Sequence, residues 1–179
     1  MRLLPDEEHS AARRFLVSGS IWLCLATLGG LASAIQLFSP DVLRNIPVLE
    51  FGRVRPLHTN LVLFGFVGLM SIGAGLYIAP VMLRTRLHGE RLAHLSLWLF
   101  NLALLGAVIT LPLGFTQGRE YAELIFPIKL LFLAALLLLL YVLIMTLLRR
   151  RENLLYVSVW YICGGVLWTA ILFPFGNVM

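Results

Sequence analysis

The chain has 179 residues, of which 60% are hydrophobic and 13% charged, with a formal net charge of +5 and a mean hydropathy of +0.91. A water-soluble domain of this size cannot bury that much apolar surface, whereas a bilayer can, so the chain reads as an integral membrane protein. The positive balance does not point to nucleic acid, because thirteen of the fourteen basic residues are Arg and most flank apolar runs, as orientation signals do.

Crossing ~30 Å of hydrocarbon takes about 20 helical residues. Five stretches are long enough. The first, roughly 15–38, carries no charge and follows Arg13 and Arg14. Ala32-Ser33-Ala34 resembles the cleavage site of a secretory signal, but the run is long for a signal core and continues past it, so it is read as a retained span. The second, roughly 57–83, has His58 as its only ionisable group of the Asp, Glu, His, Lys and Arg kind. The third, 92–113, has His94 near its start, and the fourth, 124–148, is interrupted only by Lys129. The fifth covers 154–175. Alternating strand patterns are absent. The expectation is an all-α bundle of five transmembrane helices forming one membrane domain over 1–179, since in lipid every backbone group must be paired internally. Cys24 and Cys163 lie in apolar runs without metal or disulfide spacing and read as small core residues.

Five spans place the N-terminal tail and the 84–91 and 149–153 loops on one side. That side holds Arg2, Arg13, Arg14, Arg84, Arg86, Arg91, Arg149, Arg150 and Arg151. The other holds Arg44, Arg53, Arg55 and Arg119. The positive-inside rule then puts the N-terminus in the cytoplasm and the C-terminus outside. Small residues within the spans, Gly29, Gly30, Gly65 and Gly73 among them, permit close approach of helices or of a flat cofactor. For any one of them, plain helix packing is the simpler reading.

The stretch GRVRPLHTN, residues 52–60, opens the second span. Pro56 suits a first helical turn, and His58 follows about one turn in, near the outer face. Arg55 is three residues earlier, on the same helical face. A neutral imidazole can ligate iron, and a guanidinium above it suits a heme propionate. Spacing alone favours a plainer reading, an interfacial His bonded to nearby backbone. In the outer loop TQGREYAEL, Glu120 and Glu123 could help hold a hard cation such as calcium, or could be solvated charges, the simpler reading. Lys129 reads as snorkelling toward the headgroups. His9, in a charged tail, reads as solvated. His94 is expected most of a bilayer away from His58, so the two cannot share one iron. No catalytic residue set is present: there is no covalent heme motif, phosphate-binding loop or nucleophile elbow.

The string FGRVRPLHTNLVLFGFVG resembles the second transmembrane helix of the catalytic subunit of heme–copper oxidases, nearest the cbb-type cytochrome c oxidases and the bacterial nitric oxide reductases. GFTQGREYAEL is similar to that family's outer loop before its fourth helix, and RRRENLLYVSVWYICGGVLW to the start of its fifth. The resemblance runs from about residue 14 to the end. It implies that His58 is one axial ligand of a low-spin heme b, that Arg55, with Arg53 assisting, contacts the propionates, and that Glu120 or Glu123 falls where the family places a carboxylate on calcium. It also implies a multi-pass protein of the bacterial inner membrane.

The family's catalytic subunit has about twelve spans, against five here. Its second axial His, its copper ligands and its high-spin heme ligand sit in later helices. The expectation is therefore a respiratory subunit that is not catalytic alone, with a partner membrane subunit supplying the remaining helices and the second ligand. A c-type cytochrome or a quinol is the expected donor. The alternative is a heme-free structural or assembly subunit of a membrane complex.

Overall fold

The computed structural model describes residues 6–43, 45–119 and 121–177. Among them are five helices long and apolar enough to cross a membrane, and no strand. They are α1 (Ser10–Phe38), α2 (Phe51–Met82), α3 (Glu90–Thr110), α4 (Phe126–Leu148) and α5 (Val157–Asn177). A single 3-10 turn, Pro47–Leu49, leads into α2. The all-α, five-span expectation holds, and the boundaries move for identifiable reasons.

α1 begins earlier than expected, inside a polar segment. Its first N–H groups have no acceptor within the helix, and a negative charge there is favourable. Glu90, from the first turn of α3, supplies both. Its Oε1 accepts from the His9 N–H at 2.9 Å and its Oε2 from the Ala11 N–H at 3.0 Å. Ser10 Oγ donates to the same carboxylate at 3.4 Å and lies 2.9 Å from His94 Nε2. His9 is therefore not simply solvated: it holds a left-handed φ of 60° at the N-cap and packs its ring on Tyr77, centroids 4.9 Å apart.

α2 also starts early, at Phe51, so Pro56 lies inside the helix and not in its first turn. The first turn closes ahead of the proline, where the Glu50 carbonyl accepts from Arg53 and Val54 at 2.9 and 3.0 Å. Proline's missing N–H removes the helical donor to the carbonyl of Gly52, which is exposed and so open to water or headgroups. Three residues past His58 the helix changes character: Leu61–Gly68 is π-helical. Such i→i+5 segments are rare and concentrate at functional sites.

The core lies between α1, α2, α3 and α4. Phe100 and Phe132 meet edge-on at 5.5 Å, and Phe64 leans on Phe132 at 5.0 Å. Gly73 of α2 brings the helix against α1, since a Cβ there would sit 3.0 Å from Phe15 Cβ. Midway along the bundle, Asn101 Oδ1 accepts from Ser18 Oγ and Trp22 Nε1, each at 2.8 Å. Inter-helix hydrogen bonds of this kind hold membrane bundles where apolar burial discriminates little. Cys24 is exposed and Cys163 partly so, which corrects the reading of both as core. Trp22 and Ala26 are buried on α1, and Cys24, two residues from each, faces the other way. α5 is the least covered helix, with 17% of its most apolar stretch buried against 44% for α3.

Candidate functional site

His58 is the eighth residue of α2, two turns from its start. Its ring turns to α1, where Nδ1 lies 2.7 Å from the carbonyl oxygen of Ala26. A carbonyl only accepts, so Nδ1 carries the proton. In the neutral ring the lone pair is then on Nε2, which takes no hydrogen bond from any described residue. Room for the imidazole comes from Gly30: a Cβ there would stand 2.6 Å from His58 Cε1. The neighbouring Gly29 touches the base of the same side chain, its would-be Cβ 3.5 Å from His58 Cβ.

These features fit an axial heme ligand. Metal-bound histidines typically give their other N–H to a carbonyl or carboxylate, which fixes the tautomer and strengthens the donor nitrogen. Here that anchor, the tautomer and the cradle are all in place. The fit is for one axial position.

α2 presents two faces at this level. With 3.6 residues per turn, Arg55 shares the His58 side, while Arg53 and Asn60 point roughly opposite. Contacts agree: Arg53 Nη1 donates to the Pro112 carbonyl at 2.8 Å, beside Gly114, whose φ is +89°. Asn60 Nδ2 donates to Glu123 Oε2 at 3.1 Å and to the Pro56 carbonyl at 2.8 Å. Asn60 is 2% exposed and its Oδ1 is left without a partner. The Glu123 backbone closes the loop, its carbonyl accepting from the Gln117 N–H at 2.8 Å.

Lys129 does not snorkel. It is fully buried and donates to Gln117 Oε1 at 2.6 Å. A lysine left unpaired at membrane depth costs on the order of 3 kcal/mol, so an amide folded over it is a strong local constraint. Glu120 lies outside the described residues. Among those described, no three His, Cys, Asp or Glu side chains converge as a metal site, so Glu123 is not part of a preformed cluster of such ligands.

His94 is fully buried with Nδ1 unpartnered. It contacts Ser10, whereas His58 contacts Ala26 on the same helix. Sixteen residues at 1.5 Å each separate those levels by about 24 Å. The two histidines are therefore too far apart to share one iron, as expected. A separate apolar cavity of about 440 Å³ opens between α2, α4 and α5, bordered by Phe64, Gly68, Phe132, Ile162 and Phe173; His58 is not among its walls.

Sequence reasoning singled out His58 and Arg55 but missed Asn60, Gln117, Glu90 and Asn101 as partners. Two signals were available: an Asn in mid-span at 101, and an acid immediately before the third span at 90.

A multi-pass helical protein with an anchored, single-sided imidazole near one membrane face is the class this geometry defines. The chain belongs to the cytochrome c and quinol oxidase polypeptide I family, whose model matches residues 10–179. Its relatives place it on the branch of the cbb3-type oxidases and nitric oxide reductases, in the bacterial inner membrane. It is 34% identical to the cbb3-type cytochrome c oxidase subunit CcoN1 of Stutzerimonas stutzeri over 95% of this chain and 36% of that protein. It is 34% identical to a cytochrome c oxidase subunit 1 homolog of Agrobacterium tumefaciens over 88% of this chain and 29% of that one. It is 30% identical to a nitric oxide reductase subunit of Stutzerimonas stutzeri over 68% of this chain and 24% of the relative. The chain spans about a third of the length of the first two of these curated relatives.

Proposed function

We propose that this chain holds a low-spin heme b through His58 Nε2 as a membrane subunit of an oxidase- or nitric oxide reductase-like respiratory complex. The second axial ligand and the catalytic centre lie on a partner chain. The observation that carries the reading is the His58 anchor: Nδ1 on the Ala26 carbonyl at 2.7 Å, with Nε2 left for a metal. Family membership over residues 10–179 supports it. So does the absence, among the described residues, of another imidazole at that depth.

Bound there, a heme supplies one-electron exchange between its ferric and ferrous states. The residues of this chain do the rest. Ala26 O holds the imidazole proton on Nδ1, so the neutral ring has its lone pair on Nε2. Gly30 keeps the ring against α1. Arg55, on the same helical face, would neutralise a propionate. Arg53 braces the outer end of α2 on Pro112 and can assist from its own side. A calcium held by Glu120 or Glu123 would need further oxygen ligands, from carbonyls, water, the propionates or the partner. A c-type cytochrome or a quinol on the outer side is the donor this arrangement suits.

The test is ligand exchange in the intact complex. His58→Met should keep a low-spin b heme and raise its midpoint potential, as thioether ligation does. An unaltered potential in His58→Met, or a wild-type complex with no b heme, would oppose the reading and favour a structural or assembly role.

A further inference from the structure

The opposite end of the bundle, where α1 begins, holds a second pocket that the heme reading does not use. It encloses about 460 Å³ and is lined by Glu8, His9, Pro80, Val81, Arg84, Arg86 and Arg151 among others. Three segments build it: the start of α1, the end of α2 with the loop after it, and the loop between α4 and α5.

The end of α2 is the unusual part. The Thr85 N–H bonds the Pro80 carbonyl at 3.0 Å and the Arg84 N–H bonds the Val81 carbonyl at 3.2 Å. That is a Schellman termination, with Arg84 at the position where the chain must turn left-handed and where glycine is preferred. Arg84 takes it with φ 49°. An L-residue there is strained by about 1 kcal/mol. The loop before α5 is fastened to the same corner, since the Arg151 N–H donates to the Leu83 carbonyl at 3.0 Å. That brings a third guanidinium alongside. Arg84 pairs with Glu152 at 3.2 Å and Arg86 with Glu8 at 3.5 Å, both arginines largely exposed. The Arg151 guanidinium has no partner among the described residues. Three guanidiniums thus gather at one corner against two carboxylates, Glu8 and Glu152, and Arg151 is the one left over. Directly below, Tyr77, Ile78 and Val81 of α2 present exposed apolar surface running toward the middle of the membrane.

We propose that this pocket seats the phosphate of an anionic phospholipid, with its acyl chains lying along Tyr77, Ile78 and Val81. A phosphate suits the arginine fork, which matches its oxygens two at a time. The apolar strip beneath selects a ligand that carries hydrocarbon, which free phosphate does not. The positive-inside orientation puts the pocket in the cytoplasmic leaflet, where anionic lipids are read by such basic clusters.

The experiment uses the full chain with the subunits that copurify, delipidated and reconstituted into nanodiscs of dioleoylphosphatidylcholine with or without dioleoylphosphatidylglycerol. Retained lipid is counted by native mass spectrometry, and thermal midpoints are recorded. Phosphatidylglycerol should be retained and should raise the midpoint, and millimolar inorganic phosphate should neither displace it nor reproduce the effect. Arg86→Gln with Arg151→Gln should weaken retention by about tenfold or more, while Arg149→Gln with Arg150→Gln, outside the pocket, should not. Arg84→Gly should weaken retention yet raise the midpoint in pure phosphatidylcholine, because it releases the left-handed strain. Equal retention by wild type and the Arg86/Arg151 variant would overturn the proposal. So would an equal loss in the Arg149/Arg150 control, or full stabilisation by phosphate alone.

Discussion

His58 of α2 donates from Nδ1 to the backbone carbonyl of Ala26 in α1 at 2.7 Å. That bond fixes which nitrogen can serve a metal, and it exists because residue 30 is glycine. A methyl at Gly30 would meet the ring at 2.6 Å, whereas one at Gly29 would meet His58 Cβ at an ordinary 3.5 Å. Gly30→Ala should therefore push the imidazole off Ala26, cost about 1–3 kcal/mol in stability, and reduce the b-type absorption per complex. Gly29→Ala should leave absorption nearly intact. Equal spectra from the two variants would separate the cradle from the ligand.

Glu90 is the N-terminal cap of a helix that lies eighty residues away in sequence. Glu90→Ala removes the acceptor of the His9 and Ala11 N–H groups and should cost about 1–2 kcal/mol. Glu90→Gln keeps a neutral acceptor and should cost less. Hydrogen exchange should show faster opening confined to the first turns of α1.

Gln117 and Lys129 form a second coupled pair. Gln117→Ala leaves a fully buried ammonium without its 2.6 Å acceptor and should cost about 1–3 kcal/mol. Adding Lys129→Met should recover most of that loss, because the apolar side chain needs no partner. A thermal-midpoint cycle over the two singles and the double measures it. Additive losses would mean the pair is not coupled.

His88, in the loop before α3, provides the pH dependence. Burial, and then the positive charge of Arg149, hold its pKa below the ordinary 6.5. The folded state then binds fewer protons than the unfolded one in the interval below 6.5, so this contribution to stability is complete above that pH and declines as pH falls through it. The thermal midpoint should drop between pH 7 and pH 5.5, and His88→Gln should flatten that part of the drop.

Much of this fold is legible in the sequence because hydropathy and the placement of arginines are local signals. Five apolar runs became five helices, and Arg55 with His58 announced a shared face. What escaped depends on residues distant in the chain. The start of α1 is set by Glu90, and the environment of Lys129 by Gln117 in the preceding loop. Cys24 turned outward because Trp22 and Ala26 took the buried face of α1. Pro56 suggested a helix start, yet the first turn had already closed on Glu50. The π-helical run Leu61–Gly68 leaves no trace in an apolar pattern that is hydrophobic on every side.

The most direct test of the central claim is the reduced-minus-oxidised absorption spectrum of the intact complex from wild type and His58→Ala, with subunit content checked on the same samples. The account predicts a low-spin b-type signal in wild type that is lost in His58→Ala while all subunits remain. An unchanged b-type signal in a fully assembled His58→Ala complex would contradict it.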